Sequence, residues 1–492
     1  MKRILSILIA LALLLAMLGG CAQKADTAAE TGQTQTAGEE TEAQSTDSAE
    51  TSAPPAPPDG GGPGGERPEG DPPGAPPDGA PGGGPGGGSA DVDYAGATEI
   101  TAADSQSGGV YTSTTADESA LLITADAELT DPTVTKSGDS DGGDSCNFYG
   151  LNAAVLVKDG ATATVTGGSI VSDADGANGV FCYGGNGGSN GTAGDGTTLI
   201  IRDTEITTTG DGAGGVMTTG GGVTRAYDLT VTTSGRSSAA IRTDRGGGTV
   251  TVEGGSYTSN GLGSPAIYST ADVTVTGAKL VSNLSEGVCI EGKNAITLVD
   301  CDLTANNTKR NGNATFLDTI MIYQSMSGDA DSGTSRFTMT GGSLASNSGH
   351  VFHVTNTSAV ITLSGVQIVN NDADNVLLSV CDDGWSGAGN TAVLDASGQR
   401  LSGAILVGDN ASLTLNLSDS SAFEGYVGGS IVNAAGDTVS TDVGAVDVTL
   451  DETSTWILTG DSYVSSFTGS AANVISNGYT LYVAGAALTG TR

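Results

Sequence analysis

The chain has 492 residues and a formal net charge of -38, from 18 basic and 56 acidic residues. This charge argues against binding to nucleic acid, which needs clustered Lys and Arg, and against docking of the protein surface onto anionic lipid. Gly contributes 78 residues, and aromatic residues are 4% of the chain. That composition favours stacked short β-strands between Gly-rich turns over a globular core built on large aromatic side chains.

The N-terminus has the order of features that is typical of an export signal. Lys2 and Arg3 precede an apolar run over residues 4–18, which is short for a membrane span. The run ends in Leu18-Gly19-Gly20-Cys21, which resembles the lipobox of bacterial lipoproteins, although Gly19 departs mildly from the commoner Ala, Ser or Thr. The resemblance implies that residues 1–20 are a signal peptide, that Cys21 is lipidated, and that the protein is anchored by this lipid alone to the extracellular face of the bacterial cell membrane.

Residues 21–95 are predicted to be a disordered linker. Its first part is rich in Thr, Ala, Glu, Gln and Ser, and residues 54–88 are a Pro/Gly run. Such a segment has too little apolar surface to offset the entropy lost on ordering. We expect a flexible stalk that separates the anchor from the folded part of the chain.

A short apolar pattern recurs from about residue 160, within the residues 96–440 that we predict to form one repeat domain. Two apolar residues lie two positions apart, and a third follows five positions after the second. Spacing two places the first pair on one face of a strand, and the polar or Gly-containing interval predicts a turn into a second strand. The nine units are Ala163/Val165/Ile170, Leu199/Ile201/Ile206, Thr224/Ala226/Val231, Val250/Val252/Tyr257, Val273/Val275/Leu280, Ile296/Leu298/Leu303, Phe337/Met339/Leu344, Ile361/Leu363/Ile368 and Leu394/Ala396/Leu401.

The period of this pattern predicts an all-β solenoid. Five of the eight intervals between successive units are 23–26 residues, which suits one coil of a parallel β-helix, and the longer intervals indicate loop insertions. Segments 239–241, 265–267 and 287–289 predict a third strand in several coils. With three strands per coil, the pattern resembles the right-handed parallel β-helix superfamily of pectate lyases and related surface proteins. A leucine-rich repeat and a string of β-sandwiches fit the pattern less well.

Residues 441–492 are predicted to form closing coils or a cap. Segments 455–463 and 479–483 are richer in aromatic residues than the repeat, and they resemble the closing coils of secreted β-helix adhesins. A solenoid needs a terminal element because its last coil otherwise exposes an open core and an unpaired edge.

Candidate carbohydrate-binding residues fall in two places. Trp385 follows Asp382 and Asp383 in a Gly-containing loop, where an exposed ring beside carboxylates could stack on a sugar and hydrogen-bond its edge. A Trp folded back onto the coil is the alternative for this loop. Arg236 and Arg242 lie in the densest basic cluster of the repeat, and their guanidinium groups could contact uronate carboxylates.

The densest acidic loop is the candidate metal site. It contains Asp139, Asp141 and Asp144 around Gly142 and Gly143. Ca²⁺ takes several carboxylate and carbonyl oxygens from flexible loops of this kind, so Ca²⁺ is the candidate cofactor. The loop lacks the full spacing of an EF-hand, and a solvated turn is the alternative.

Enzymatic activity is left open by the sequence. The resemblance to pectate lyases implies Ca²⁺-dependent polysaccharide cleavage with a basic residue as proton acceptor. The hydrolases of the superfamily would need several converging Asp residues and a Gly-His segment. Here Gly349-His350 precedes Asp382-Asp383, which is the reverse of the order in those hydrolases. His350 and His353 are expected on opposite faces if they share a strand.

Three functions follow as hypotheses. The first is a surface lipoprotein that binds extracellular polysaccharide or surface glycans in the manner of an adhesin. The second is a Ca²⁺-dependent polysaccharide lyase. The third is a structural or protein-binding adhesin without glycan specificity. Non-enzymatic glycan binding is the favoured hypothesis, because the anchor, the stalk and the loop insertions all suit display of a binding surface.

Overall fold

A computed structural model describes residues 92–140, 143–186, 193–312, 314–385 and 387–492. The predicted signal peptide, the lipidation site Cys21, nearly all of the predicted linker and the candidate metal ligand Asp141 lie outside the described residues. The regular secondary structure of the described residues is almost entirely β-strand. It confirms the predicted fold class, because three long all-parallel sheets stack as a parallel β-helix solenoid.

Each coil contributes one strand in turn to sheet 1, sheet 2 and a third sheet. In the described residues, sheets 1 and 2 have 13 and 14 strands. Sheet 1 consists of β1 (Ala95–Ile100), β4 (Glu118–Ile123), β7 (Val155–Val157), β10 (Val180–Tyr183), β13 (Val216–Thr219), β16 (Ile241–Thr243), β19 (Ile267–Ser269), β22 (Val288–Glu291), β25 (Asp318–Tyr323), β28 (His350–Thr355), β31 (Val376–Val380), β34 (Ala404–Val407) and β37 (Val427–Gly428). Sheet 2 consists of β2 (Asp104–Ser107), β5 (Ala127–Thr130), β8 (Thr162–Thr166), β11 (Thr198–Arg202), β14 (Gly222–Tyr227), β17 (Gly248–Glu253), β20 (Asp272–Thr276), β23 (Ala295–Val299), β26 (Thr334–Thr340), β29 (Ser358–Ser364), β32 (Asn390–Ser397), β35 (Ala411–Ser418), β40 (Ala445–Leu450) and β43 (Ser466–Thr468).

The third side of the solenoid is divided between two sheets. Sheet 3 consists of β3 (Val110–Ser113), β6 (Thr133–Lys136), β9 (Ser169–Ser172), β12 (Glu205–Thr208), β15 (Thr230–Thr233), β18 (Ser256–Ser259), β21 (Lys279–Ser282), β24 (Asp302–Ala305), β27 (Ser343–Ser346) and β30 (Gln367–Asn370). Sheet 4 consists of β33 (Arg400–Ser402), β36 (Ala422–Gly425), β41 (Thr455–Leu458) and β44 (Val474–Ile475). Within the described residues, no ladder pairs β30 with β33, although they belong to successive coils.

The remaining elements are short. An α-helix, α1, covers Asp144–Tyr149, and a single 3-10 turn covers Ala471–Asn473. Among the residues with described positions, no helix is long and apolar enough to span a bilayer. Two small sheets are formed by β38 (Ile431–Val432) with β39 (Thr438–Ser440), and by β42 (Ser462–Val464), β45 (Leu481–Val483) and β46 (Ala486–Ala487).

The repeat residues face inward and stack in rows. Ile206, Val231, Tyr257, Leu280 and Leu303 occupy consecutive register positions in sheet 3 and are at most 1% exposed. The β-strands alternate sides, so each coil adds its apolar residues to one continuous core and leaves polar residues outside. Burial of this apolar surface is the main stabilising contribution, since one coil cannot enclose a core alone.

Thr224, the one polar residue among the repeat positions, is also fully buried. Its hydroxyl lies 2.6 Å from the hydroxyl of Thr218, so the two side chains satisfy each other inside the core. A buried hydroxyl without such a partner would be destabilising. A threonine is therefore tolerated at this core position, because Thr218 of sheet 1 supplies a hydrogen-bond partner.

The turns between sheets 2 and 3 depend on left-handed backbone conformations. Gly167 and Gly341, which the repeat predicted as turn glycines, have φ angles of 70° and 64°. At the equivalent turns of other coils, Asp203, Asp228 and Asp300 have φ angles of 50–51°. Asp tolerates this region better than most residues because its short side chain hydrogen-bonds locally. The turn therefore repeats even where the glycine does not.

Candidate functional site

The outward face of sheet 1 carries Arg242, His350 and His353, and a loop packs Trp385 and Asp383 against this face. One outward row passes in register through Arg242, Tyr268, Cys289, Met321 and His353. All five are at most 1% exposed. An outward row of a β-helix meets solvent unless something covers it. Here the cover includes Asn147, Ala314 and Trp385, which come from α1 and from loops between the strands.

Arg242 is held in a buried ion pair. Its Nη2 atom donates to Oδ2 of Asp244 at 2.7 Å, and both side chains are at most 1% exposed. Its Nη1 atom donates to Oδ1 of Asn147 and to the carbonyl of Ser237, each at 3.2 Å. Burial raises the pKa of Asp244 to about 6, and the Arg242 charge opposes that shift. These contacts place Arg242 out of reach of a uronate carboxylate at the surface.

Arg236, the other predicted basic contact, is only partly buried. Its Nη2 atom donates to Oδ1 of Asn311 at 3.3 Å. Arg245, from the same cluster, pairs with Asp329 at 2.6 Å and lies 3.8 Å from Asp144. The basic cluster is therefore engaged mainly with protein groups, which accords with charge balance inside an acidic surface.

Glu291 is the centre of a second buried network on this face. Its Oε2 atom accepts hydrogen bonds from the hydroxyls of Tyr268 at 2.7 Å and Tyr323 at 3.1 Å. Its Oε1 atom accepts from Ser325 and, at 3.4 Å, from Ser327. Burial raises the pKa of Glu291 to about 7, and the nearby Asp329 adds to the shift. This network fastens the segment after β25 to the sheet.

A third buried cluster joins both histidines to Ser379 and Asp383. The Nδ1 atoms of His350 and His353 each lie 2.7 Å from the Ser379 hydroxyl. The Nε2 atom of His353 lies 3.5 Å from Oδ2 of Asp383, and Phe316 stacks on the His353 ring with centroids 4.5 Å apart. Burial lowers the pKa of His350 to about 3, and the neighbouring His353 acts in the same direction.

The expectation that the two histidines point to opposite faces is wrong. Val351 and Phe352, which separate them, both belong to the apolar core. Strict alternation would place only one of the two inside. The local departure from alternation returns His353 to the outer face that His350 occupies, so both rings reach Ser379.

Asp383 belongs to a group of buried carboxyls and is not a surface residue. Its Oδ1 atom accepts a hydrogen bond from the Thr315 amide at 2.7 Å. Glu286 and Asp318 are also buried, and burial raises the pKa of both, with the nearby Asp383 carboxyl adding to each shift. Sequence reasoning missed Glu286 and Asp318, since neither lies in a motif. Their proximity to Asp383 follows only from the register of the coils.

Trp385 is folded back onto the solenoid, which is the alternative that the loop sequence left open. It is 3% exposed, and its ring packs against Tyr323 with centroids 5.5 Å apart. A ring covered in this way does not offer a free face for stacking on a sugar. Of the three residues proposed in this loop, Asp382 alone is exposed, and it accepts a hydrogen bond from Asn390 at 2.6 Å.

The described residues of the acidic loop do not converge. Asp139 is exposed and accepts the amide hydrogen of Asp175 at 3.0 Å. Asp144 lies near Arg245, as described above. In the part of the chain that the structure describes, no three His, Cys, Asp or Glu side chains are grouped as a metal site. The Ca²⁺ assignment, one of whose ligands is Asp141, stays a prediction.

An open groove lies along the corner between sheets 1 and 2. We call it the corner groove. Its volume is about 400 Å³, and it passes across successive coils instead of entering the core. It is lined by Ala193, Gly194, Gly221, Gly246, Gly247, Gly248, Thr249, Thr270, Ala271, Asp272, Lys293 and Asn294. Much of the floor is backbone, because turn glycines line it, and the buried Thr270 hydroxyl beneath it has no hydrogen-bond partner among the described residues.

A row of threonines continues from the corner groove across sheet 2. Thr251, Thr274, Thr297, Thr338 and Thr362 are consecutive register partners on the outward face, and we call them the threonine row. Neighbouring strands in a sheet lie about 4.8 Å apart, so the row presents hydroxyls at a regular spacing. Each of these threonines lies between the two paired apolar residues of its unit, a position to which the apolar pattern assigns no role.

Comparison with known proteins adds no relative from which a site could be transferred. No protein-family model matches the chain, and neither a curated protein nor a solved structure does.

Proposed function

We propose that the protein binds an extended, neutral polysaccharide or surface glycan, as an adhesin-like module on the bacterial surface. The threonine row carries this proposal. Five hydroxyls in register on consecutive coils match a ligand that itself repeats, and the adjoining corner groove supplies backbone and side-chain polar groups. A repeating polymer can form the same hydrogen bonds at each coil, so weak contacts accumulate along its length.

The charge of the protein favours a neutral ligand over an acidic one. The net charge is -38, and the groove lining contains one acidic and one basic side chain, Asp272 and Lys293. Lys293 is already paired with Asp331 at 2.8 Å. A polymer of uronates would meet long-range repulsion from the protein, which is strongest at low ionic strength.

The anchor belongs to the same proposal. The lipobox resemblance at Cys21 would tether the solenoid to the outer face of the membrane, and residues 22–95 would act as a spacer. Metabolic labelling with a radioactive fatty acid tests this part. Incorporation into the full chain and loss of label in Cys21→Ser would support the anchor, whereas label that survives in Cys21→Ser would contradict it.

A glycan array and affinity electrophoresis of the unlipidated chain test glycan binding. The double variant Thr274→Val/Thr297→Val removes two outward hydroxyls at nearly constant volume, and Thr232→Val/Thr258→Val is the matched control on sheet 3. Each lost hydrogen bond is worth about 0.5–1.5 kcal/mol, so the first variant should bind about tenfold more weakly. Equal affinities of the two variants would contradict the threonine row as the binding face.

Two additional measurements distinguish glycan binding from the lyase and the protein-binding adhesin. EDTA addition tests for a Ca²⁺ requirement, and ultraviolet absorbance of an unsaturated uronate product would reveal lyase activity. A folded protein that binds no glycan on the array would overturn the proposed function and favour an adhesin for protein partners.

A further inference from the structure

Sheet 3 ends at β30 and sheet 4 begins at β33, and the discontinuity has a defined structure. At one end, the Gln399 amide takes the place of strand pairing. Its Oε1 atom accepts the Val366 amide hydrogen at 2.8 Å, and its Nε2 atom donates to the Val366 carbonyl at 2.7 Å. Gln399 is 1% exposed. A side chain therefore joins the two coils where backbone pairing would otherwise do so.

At the other end, a turn after β30 closes the discontinuity. Asn370 donates from Nδ2 to the Val376 carbonyl at 3.1 Å and accepts the Asp372 amide hydrogen at 3.0 Å. The Asn375 carbonyl accepts the amide hydrogen of Ala404 at 2.9 Å. Hydrogen bonds thus hold both ends of the break, and the opening between them is preorganised.

The opening exposes part of the core row. Ile368 occupies the same row as Leu344 and Leu401, which are fully or almost fully buried, yet Ile368 is only partly buried. A cavity of about 360 Å³ lies here, with Ile368, Leu401 and Ile457 among its apolar lining residues. Its polar wall consists of Asn370, Asn375, Arg400, Ser402 and Glu424.

We infer that this cavity, which we call the sheet-break cleft, binds a single neutral sugar ring, such as the terminal or branch residue of a glycan. An apolar floor with a few polar groups at its edge is the usual character of a small-ligand site, and sites of this kind measure roughly 300–1,000 Å³. The volume of the cleft is at the lower end of that range and suits one ring. The apolar face of the ring covers Ile368, and its hydroxyls contact the polar wall.

The charges in the cleft favour an uncharged ligand. Arg400 and Glu424 have opposite charges, and neither has an ion-pair partner among the described residues. Together they offer guanidinium donors and carboxylate acceptors, which suit hydroxyl groups that both donate and accept. Repulsion by Glu424 would offset the attraction of Arg400 for the carboxylate of an acidic sugar, so a charged sugar has no net electrostatic advantage in the cleft.

This inference rests on the proposed function only in taking a saccharide as the ligand, since its site is separate from the threonine row. Saturation-transfer NMR of the unlipidated chain with methyl glycosides of glucose, galactose, mannose and N-acetylglucosamine tests it. We expect millimolar binding of at least one glycoside, a loss of about tenfold or more in Arg400→Ala and Glu424→Gln, and no change in the control Arg336→Ala.

The outcomes distinguish the two proposals. Polysaccharide binding without binding of any glycoside would overturn the sheet-break cleft alone. Glycoside binding that survives in both Arg400→Ala and Glu424→Gln would place the sugar elsewhere and also overturn the cleft. If neither polysaccharide nor glycoside binds to the folded protein, both proposals are wrong. Circular dichroism of each variant shows whether lost binding reflects lost structure.

Discussion

Arg242 and Asp244, two residues apart on the covered face of sheet 1, form an ion pair of 2.7 Å with almost no solvent exposure. Removal of one partner of a buried pair leaves an uncompensated charge. We therefore expect Arg242→Ala to lower the free energy of unfolding by about 3–5 kcal/mol. Urea denaturation followed by circular dichroism measures this change.

An exposed ion pair provides the control for Arg242→Ala. Lys293 and Asp331 lie 2.8 Å apart, and their side chains are 46% and 48% exposed. Lys293→Ala should therefore change the free energy of unfolding by less than about 1 kcal/mol. If Arg242→Ala and Lys293→Ala have the same free energy of unfolding, removal of Arg242 does not leave a destabilising buried charge.

Asp244 and Glu291 should each contribute stability that falls as the pH rises from about 4 to about 7, whereas the lowered pKa of His350 contributes in the opposite direction over part of this range. Burial raises the pKa of Asp244 from 3.8 to about 6 and that of Glu291 from 4.5 to about 7. A carboxyl whose pKa is raised in the folded state contributes stability that is fully present below its unfolded pKa. That contribution is lost as the pH rises through the folded pKa.

Urea midpoints measured between about pH 4 and pH 8 test this dependence. Glu291→Gln should flatten the curve near neutral pH, since glutamine keeps an acceptor for the tyrosine hydroxyls without a titrating proton. Midpoints of the wild type and Glu291→Gln that change in parallel through this range would contradict the raised pKa of Glu291.

Trp385 should act as part of the fold and not as a sugar platform. Its ring packs on Tyr323 and is 3% exposed, so Trp385→Ala should destabilise the protein by about 3–5 kcal/mol. Polysaccharide affinity should stay unchanged at a temperature where the variant is folded. Selective loss of affinity in a folded Trp385→Ala variant would instead support stacking of the Trp385 ring on a sugar.

A fluorescence measurement checks the position of Trp385 independently. The chain has two tryptophans, and the other, Trp456, is stacked on Phe423 with centroids 5.5 Å apart. In Trp456→Phe, emission reports Trp385 alone. We expect blue-shifted emission that acrylamide quenches weakly, and strong quenching would show that the loop ring is exposed.

The Gln399 amide should stabilise the break between sheets 3 and 4. Gln399→Ala leaves the Val366 amide and carbonyl without their partners, which should cost about 1–3 kcal/mol. Hydrogen exchange should show faster exchange of the Val366 amide and little change at Leu280, which lies several coils away. Unchanged protection at Val366 would mean that Gln399 does not secure this end of the break.

The strand order of the solenoid could be predicted because its determinants are local and repeated. The spacing of Val250, Val252 and Tyr257 predicts a strand, a turn and a second strand, and the same spacing occurs in the other units. The segment at Ile267 was likewise recognised as a third strand, and it begins β19. Turn residues were harder to recognise, since Asp228 adopts the conformation that the pattern assigned to glycine.

The candidate sites could not be predicted in the same way, because they depend on contacts between coils. The proximity of His353 to Asp383 requires that the loop after β31 fold back over the preceding coil, and loop paths are not periodic. The partly exposed Ile368 obeys the apolar rule as well as Leu344 does. Its different environment arises from the missing pairing between β30 and β33, which no residue in its own unit reveals.

The break between sheets 3 and 4 also has a mechanical consequence. Backbone ladders resist bending along a stack of coils, and at this level two ladders continue while the third is replaced by side-chain contacts. Elastic compliance is therefore concentrated between β30 and β33. Under a pulling or bending load the stack would flex first at this level, and the two segments on either side would move as stiffer bodies.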